Sequence, residues 1–448
     1  MSTKLLITGA QLSSGDRADI LVDGNRIVEL GSDLKAAGAT TIDADGLIAL
    51  PGLVDLHTHL REPGFEQSET VLTGTQAAAK GGFTTVFAMA NTNPVADTAG
   101  VVEQVQRLGD EAGYATVRPI GAVTVGLEGI ALAELGAMAN SRAQVRVFSD
   151  DGKCVHDALL MRRALEYVKT FNGVIAQHAQ EPKLTIDAQM NEGDVSARLG
   201  LAGWPAVAEE SIIARDVLLA EHVGSRLHIC HLSTAGSVDI IRWAKKRGIN
   251  VTAEVTPHHL LLTDERAESY DARYKVNPPL RTNEDVMALR EALADGTIDI
   301  VATDHAPHTV ETKQCEWGAA AFGMVGLESA LTVVQTTMVE TGLIGWADVE
   351  RVMSHAPARI GSLTDQGQPL AVGSLADITL VDPSVARVFG TNDLASMSHN
   401  SPYLGENLQG EVIHTIHQGY LTLSDATLVD LNSVADSAKT AHNERSHA

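Results

Sequence analysis

The chain has few cysteines, a deficit of positive charge and no long apolar run. Its 448 residues include three cysteines, Cys154, Cys230 and Cys315, with neither a close pairing nor the spacing of metal ligands. So few cysteines are typical of a reducing compartment, and we expect a cytoplasmic protein in which they pack as small apolar side chains. No stretch of about 18 apolar residues and no basic segment followed by an apolar one is present, so the sequence predicts neither a membrane span nor a signal peptide.

The charge balance excludes two classes of partner. There are 33 lysines and arginines against 57 aspartates and glutamates, a net charge of −24. Nucleic acids and anionic membrane surfaces repel such a chain, and we expect neither as a partner. An anionic small molecule is not excluded, because the local field of a site can oppose the global charge. With 44% hydrophobic and 20% charged residues, the composition is that of an ordinary globular protein with a large core.

Strand-like apolar runs alternate with helical patterns over the middle of the chain. The runs are Leu53–His59, Thr84–Asn91, Thr116–Thr124, Val145–Asp151, Val174–Ala179, Leu227–Ser233, Val251–Pro257 and Ile298–His305. The helical patterns between them include Thr70–Lys80, Ala99–Glu111, Ala158–Thr170, Ser211–Glu221, Val238–Arg247 and Asp285–Leu293. This α/β alternation favours a (β/α)8 TIM-like barrel over residues 51–364, and a doubly wound sheet is the alternative that the strand count leaves open.

The two ends of the chain have a different character. Residues 1–50 and 365–430 both contain short β-like pieces separated by turn signals, such as Asp23-Gly24-Asn25. Two separated segments with the same pattern of short strands and turns most simply form one small β-sandwich domain beside the barrel. The polar residues 435–448 are predicted to be a flexible tail.

Two histidines close the first strand of the barrel. His57 and His59 are two residues apart, so alternation in a strand places both imidazoles on one face, where they can bind one metal ion. Arg61 follows with the same parity. Metal chemistry and anion recognition are therefore predicted within a few residues of each other.

Histidine or aspartate closes five of the eight predicted strands. They lie in the segments His57–His59, Asp150–Asp151, Gln177–Ala179, Cys230–Ser233 and Thr303–His308. Function sits at the carboxyl ends of barrel strands, and four histidines with two aspartates suit a pair of divalent ions such as zinc. Such a pair lowers the pKa of a shared water and polarises a carbonyl, so these residues predict hydrolysis of an amide or ester.

With these motifs in place, the chain resembles the amidohydrolase superfamily, and within it the bacterial dihydroorotase family whose members can associate with aspartate transcarbamoylase. The motifs that carry the resemblance are Pro51–His59, His59–Gly64, Ala90–Pro94, Ser149–Gly152, Pro257–His259, Lys275–Arg281 and Asp304–His308. The resemblance covers nearly the whole chain. It implies zinc-dependent, reversible interconversion of N-carbamoyl-L-aspartate and L-dihydroorotate in de novo pyrimidine (UMP) biosynthesis.

The resemblance also implies a role for each site residue. Two zinc ions per subunit are expected, one held by His57, His59 and Asp304 and the other by His178 and His231, with Asp151 bridging them. Asp304 is the implied catalytic acid and base. The implied substrate contacts are His59, Arg61, Asn91, Asn277, His308 and the backbone of Phe322 and Gly323.

Some assignments have competitors. Asp150 competes with Asp151 as the bridge, because alternation turns only one of them inward, and Lys153 could bridge after carboxylation. Residues 306–322 are predicted to be a mobile lid. His258 and His259 are assigned to structural support.

The function has two rivals and several expected partners. The first rival is an allantoinase or hydantoinase, although those relatives usually carry a lysine at the bridge, and allantoinases tend to carry asparagine in place of Arg61. The second is a non-catalytic scaffold for aspartate transcarbamoylase. A small-molecule substrate, a homo-oligomeric assembly and aspartate transcarbamoylase as a candidate partner are what the resemblance implies.

Overall fold

Eight short parallel strands form a closed ring in the computed structural model, which describes residues 4–431. The barrel strands are Leu53–Thr58, Phe83–Ala88, Thr116–Pro119, Val147–Phe148, Val174–Gln177, Arg226–Ile229, Val251–Val255 and Ile300–Val301, here barrel strands 1 to 8. Parallel ladders join barrel strands 1 to 3 and barrel strands 4 to 8, each strand to the next in chain order. Single bridges between Gly121 and Phe148 and between Thr58 and His305 complete the ring. The predicted barrel is confirmed, and the doubly wound alternative is wrong.

The barrel strands are buried on both faces, as parallel strands covered by helices must be. Every residue of barrel strands 1 and 2 is buried. Apolar side chains from five of the eight strands, among them Leu56, Phe87 and Ile300, pack into one interior cluster. Ala356 and Ile360 join this cluster, so the helix that carries them packs against the barrel interior.

Helices surround this ring. The α-helices are Val71–Lys80, Ala99–Ala112, Leu135–Asn140, Ala158–Lys169, Asp194–Leu199, Val207–Val223, Ala235–Lys246, Pro257–Leu261, Asn283–Ala294, Val310–Lys313, Ala330–Val334, Trp346–Glu350 and Ala356–Ile360. Gln335–Val339 and Arg351–His355 are π-helical. The six predicted helical segments each overlap one of these helices. Local sequence starts several of them; for example, the Thr282 side chain accepts a hydrogen bond from the backbone N–H of Asp285 in a capping box. None of the helices between residues 4 and 431 has the length and apolarity that a membrane span requires.

Both ends of the chain build a second, mixed sheet of nine strands. Its members are Lys4–Leu12, Arg17–Asp23, Arg26–Gly31, Thr40–Asp43, Ile48–Pro51, Ile378–Val388, Asn407–His417, Tyr420–Ser424 and Thr427–Leu428. Ile48–Pro51 joins the halves, because it pairs with Lys4–Leu12 on one side and Ile378–Val388 on the other. This sheet is consistent with the predicted β-sandwich. The exact domain boundaries stay a prediction, and the predicted tail at residues 435–448 lies outside the described residues.

Candidate active site

The polar residues that follow the barrel strands converge at one end of the barrel. His57 lies in barrel strand 1, and His59, His178, His231 and Asp304 come within three residues of the ends of barrel strands 1, 5, 6 and 8. Asp151 follows barrel strand 4. All six predicted metal ligands are buried, with at most 5% of any of them exposed. Two of these ligands, His231 and Asp304, and the nearby Arg61 have positive φ angles. These conformations turn the chain sharply where it leaves the strands, a feature that clusters at functional sites.

The six ligands form two groups that share Asp151. The first group is His57, His59, Asp151 and Asp304, and the second is Asp151, His178 and His231. Asp151 Oδ2 lies 3.4 Å from His57 Nε2 and 3.3 Å from His59 Nε2. Asp151 Oδ1 lies 3.1 Å from His178 Nδ1 and 3.2 Å from His231 Nε2. One carboxylate thus offers one oxygen to each group, the geometry of a residue able to bridge two ions.

Asp150 faces elsewhere. Its Oδ1 accepts hydrogen bonds from the backbone N–H groups of Val123 and Thr124, and its Oδ2 accepts one from the Thr124 hydroxyl. The carboxylate is fully engaged in fixing the segment after barrel strand 3, and it belongs to neither ligand group. Lys153 is exposed, unlike the six buried candidate ligands.

Outer hydrogen bonds orient three of the imidazoles so that their inner nitrogens point into the cluster. His57 Nδ1 donates to Glu254 Oε1 at 2.6 Å, and His59 Nδ1 donates to Asn91 Oδ1 at 2.9 Å. His178 Nε2 donates to Gln180 Oε1 at 2.8 Å. When the outer nitrogen carries the proton, the inner nitrogen presents its lone pair, which is how metal-binding histidines are held in place.

The donor spacing fits divalent ions. His57 Nε2 is buried and makes no hydrogen bond, although carboxylate oxygens of Asp151 and Asp304 lie 3.4 and 3.5 Å away. Ligands roughly 2.0–2.2 Å from a tetrahedral ion lie roughly 3.3 Å from one another. A buried imidazole nitrogen that faces two carboxylates at these distances requires a cation between them, either a proton or a metal ion. The buried cluster is therefore able to hold metal ions.

Charge and burial oppose each other in the cluster. Burial alone would lower the pKa of His57, but Asp151, Glu254 and Asp304 outweigh it and hold that pKa well above its ordinary value. Burial would raise the pKa of Asp151, yet the charge of His57 and hydrogen bonds from His178 and His231 hold it well below the usual range. Asp151 is therefore ionised at neutral pH. The cluster combines carboxylate oxygens with imidazole nitrogens, the donor set typical of zinc.

A cavity of about 260 Å³ opens beside the cluster and collects the predicted substrate-binding residues. Its lining contains His59, Arg61, Asn91, Asn277, His308, Phe322 and Gly323, together with Asp151, His178 and Asp304. Residues that are far apart in the sequence thus share one space next to the candidate metal ligands.

Arg61 is the fixed cation of this cavity. Its Nε donates to the Pro307 carbonyl at 3.0 Å, and its Nη2 lies 3.4 Å from His308 Nε2. Burial lowers its pKa to about 10, so the guanidinium stays charged at neutral pH. Among the described residues Arg61 forms no ion pair with a carboxylate, which leaves its charge available to an anionic ligand. Burial and the charge of Arg61 lower the pKa of His308 to about 3, so His308 is neutral.

Sequence reasoning missed Glu254, which is the outer partner of the first imidazole. Its Oε1 accepts from His57 Nδ1 and its Oε2 accepts from His228 Nε2 at 2.9 Å. The available signal was a carboxylate inside the otherwise apolar strand Val251–Val255. His258 and His259 belong to neither ligand group. His259 instead bonds Thr256 Oγ1 and the Pro279 carbonyl, consistent with the structural support predicted for it.

Known proteins resemble the chain along nearly its whole length. A family model described as "Dihydro-orotase-like" matches residues 46–237. The dihydroorotase of Leifsonia xyli subsp. xyli is 73% identical over 95% of this chain and 97% of its own length, and that of Mycobacterium tuberculosis is 55% identical over 95% and 99%. Among solved structures, the L-hydantoinase (dihydropyrimidinase) of Arthrobacter aurescens aligns with a TM-score of 0.85 at 25% identity, covering 96% of this chain and 98% of its own.

These relatives, the barrel and the buried imidazole–carboxylate cluster lead to one conclusion. The chain belongs to the dihydroorotase family of amidohydrolase enzymes.

Proposed function

We propose that this enzyme reversibly interconverts N-carbamoyl-L-aspartate and L-dihydroorotate. The observation that carries the proposal is the charged fork of Arg61, without an ion-pair partner among residues 4–431, in a cavity that also exposes the imidazole–carboxylate cluster. Dihydroorotate combines a cyclic amide with a free carboxylate. A substrate of this kind matches both halves of the cavity.

Two zinc ions are the proposed cofactors, with His57, His59 and Asp304 holding one, His178 and His231 the other, and Asp151 bridging them. The division of the Asp151 oxygens between the two groups supports this assignment. When bound, such ions supply an activated water and polarise the carbonyl that it attacks.

Arg61 and Asn91 bind the substrate carboxylate in this proposal. A guanidinium fork pairs with a carboxylate through two parallel hydrogen bonds. The side-chain carbonyl of Asn91 accepts from His59, so its NH₂ group is the part left to donate to substrate. Asn277, His308 and the Phe322–Gly323 segment enclose the remainder of the ring.

Asp304 moves the proton. Its Oδ1 lies 3.1 Å from His59 Nε2, and the side chain lines the cavity. It takes a proton from the attacking water and delivers it to the ring nitrogen as the C–N bond breaks, so water is added across the amide. In the direction of ring closure the same carboxylate carries the proton back.

Turnover by the purified enzyme with added zinc tests the proposal. Dihydroorotate, allantoin and hydantoin are compared at equal concentrations, and dihydroorotate is expected to give a kcat/KM at least about a hundredfold higher than the others. A preference for hydantoin or allantoin would reject the proposed substrate. Metal analysis is the second readout, and well under one zinc per chain would reject the proposed cofactor and favour a scaffold.

The wider setting is proposed from the family resemblance. It places the reaction in de novo pyrimidine (UMP) synthesis in the cytoplasm, with a homo-oligomeric enzyme and aspartate transcarbamoylase as the candidate partner. Sedimentation of the purified chain with and without that transcarbamoylase tests both associations.

A further inference from the structure

Two buried lysines lie beneath the loop of residues 306–323, next to the candidate active site. Lys275 is 2% exposed and Lys313 is 5% exposed. Lys275 opens the sequence motif Lys275–Arg281, and Lys313 ends the short helix Val310–Lys313 inside the loop. Among the described residues neither lysine forms an ion pair. Two ammonium groups are thus buried side by side without a carboxylate partner.

Backbone carbonyls take the place of carboxylates around Lys313. Its Nζ donates to the carbonyls of Ala321 and Gly323, both at 2.8 Å, and to that of Lys275 at 3.2 Å. An ammonium has three N–H donors, so all three are used. Two of the acceptors lie on either side of Phe322, which lines the cavity. Lys313 therefore holds a cavity-lining peptide segment from both sides.

Lys275 contacts the same loop through both its side chain and its backbone carbonyl. Its Nζ donates to the Trp317 carbonyl at 2.6 Å and lies 4.4 Å from the centroid of the Phe322 ring. Its own carbonyl accepts from the Gly323 N–H at 2.9 Å as well as from Lys313. The loop is thereby fixed to the chain that leads to Asn277, another residue of the cavity lining.

This arrangement is costly, so packing alone does not account for it. Burial and the charge of Lys275 lower the pKa of Lys313 to about 7, whereas the three carbonyls around its Nζ can all be satisfied only by the protonated ammonium. An apolar side chain of similar length would fill the same space without the desolvation of an unpaired cation. What an apolar side chain cannot do is hold three carbonyls at defined positions.

The charge of Lys313 also acts on the cavity. After burial and Arg61, Lys313 is the next contributor to the lowered pKa of His308. His308 Nε2 in turn donates to the Phe322 carbonyl at 2.7 Å. The positive potential of the lysine therefore reaches the part of the cavity where an anionic substrate is proposed to bind.

We propose that Lys313 is a positioning residue that, with Lys275, holds Phe322 and Gly323 in the substrate-binding conformation and strengthens binding of the anionic substrate. The inference rests on the proposed function for its substrate but not for the tether itself. Nothing in it requires Lys313 to touch the reacting atoms.

The test compares Lys313→Met, Lys313→Gln and the control Lys183→Met in the zinc-loaded enzyme. Lys183 is an exposed lysine in the segment after barrel strand 5. Amide hydrogen exchange of residues 317–323 is measured without substrate, and kcat and KM are measured with dihydroorotate. In Lys313→Met, exchange is expected to rise and KM to increase about tenfold, the worth of a hydrogen bond to a charged group, while kcat changes less than about threefold. Lys313→Gln keeps a hydrogen-bond donor but not the charge. Its exchange should therefore be slower than in Lys313→Met, whereas its KM should stay closer to that of Lys313→Met than to that of the wild type.

The outcomes separate the tether from the proposed function. If the wild-type enzyme does not turn over dihydroorotate, the proposed function fails, and hydrogen exchange still tests the tether. Unchanged exchange and unchanged KM in Lys313→Met would overturn the inference. Faster exchange with an unchanged KM would show that Lys313 has only a structural role. It would overturn the part of the proposal that concerns substrate binding. If Lys313→Met does not fold, Lys275→Met provides the same comparison, because it removes the contacts with Trp317 and the Phe322 ring.

Discussion

At the scale of the single residue, the carboxylate of Asp151 connects the two parts of the candidate metal cluster. Asp151 places one oxygen near His57 and His59 and the other near His178 and His231. A genetically encoded carboxylate at this position would need no carbon dioxide to form the proposed bridge. The sequence motif around it predicted an inward aspartate, but alternation could not choose between neighbours. The hydrogen bonds of Asp150 to the segment after barrel strand 3 favour Asp151 as the candidate bridge, and they depend on tertiary contacts 26 and 27 residues away.

Replacing Asp304 with asparagine removes the proposed proton carrier with little change in shape. We expect Asp304→Asn to lose about 10²–10⁴-fold in turnover in both directions, the usual contribution of general acid–base catalysis. Rates of ring opening and ring closure check this, with the zinc content of the variant measured alongside. A variant that keeps its zinc and more than about a tenth of the wild-type activity would contradict the proton-carrying role.

Replacing Arg61 with methionine tests the carboxylate clamp. The side chain makes no ion pair in the described part of the chain, so its loss leaves no buried carboxylate without a partner. We expect Arg61→Met to raise KM for dihydroorotate about 10–100-fold with a smaller change in kcat, because a charge-assisted hydrogen bond to substrate is lost. Arg61→Lys is the matched control: it keeps the charge but not the fork and should give an intermediate KM. Equal KM values for all three proteins would remove Arg61 from the clamp.

At the scale of the element, side-chain hydrogen bonds end barrel strand 8 earlier than its hydrophobic pattern predicts. The sequence predicts a strand over Ile298–His305, whereas the structure has Ile300–Val301. Asp55 accepts from the Thr303 backbone N–H at 3.0 Å, and the Thr303 hydroxyl accepts from the His305 backbone N–H at 3.0 Å. These side chains replace strand-to-strand bonds and release the chain to turn at Asp304. Apolar periodicity located every barrel strand, but it contains no information on such replacements.

Two loops that carry the proposed clamp pack directly against each other, and Gly64 makes this approach feasible. Gly64 has a φ of +100°, and a Cβ there would lie 2.6 Å from the Asn93 Cβ and closer still to its carbonyl oxygen. The Asn93 N–H also donates to the Pro63 carbonyl at 2.9 Å. These contacts connect the segment after Arg61 to the segment after Asn91.

Gly64→Ala is therefore expected to disturb both stability and substrate binding. Steric overlap and left-handed strain together should destabilise the protein by about 2–5 kcal/mol and raise KM. Gly15→Ala is the matched control, since Gly15 has a φ of +93° and a Cβ added there would meet no atom within 4 Å. It should cost about 1–2 kcal/mol, with KM unchanged. Denaturant unfolding and steady-state kinetics give both quantities, and equal losses in the two variants would show that close packing at Gly64 is unimportant.

At the scale of the whole molecule, the global charge and the charge of the cavity have opposite signs. The chain carries a net charge of −24, yet Arg61 lines the cavity and two further cations, Lys275 and Lys313, lie beneath its loop. Composition alone leaves room for an anionic substrate but cannot place these cations together. Lys275 and Lys313 are 38 residues apart and meet only through the loop after barrel strand 8.

The candidate metal ligands come from five of the eight barrel strands or the segments that follow them, so metal binding should stabilise the barrel as a unit. Ions at about a thousand times their Kd stabilise a folded protein by about 4 kcal/mol. We expect chelation to lower the melting temperature by several degrees and zinc to restore it, as measured by calorimetry. Glu254→Gln weakens the support of His57 and should need about 10–100 times more zinc for the same restoration. If chelation leaves the melting temperature unchanged while zinc is shown to leave the protein, the imidazole–carboxylate cluster does not couple metal binding to the stability of the barrel.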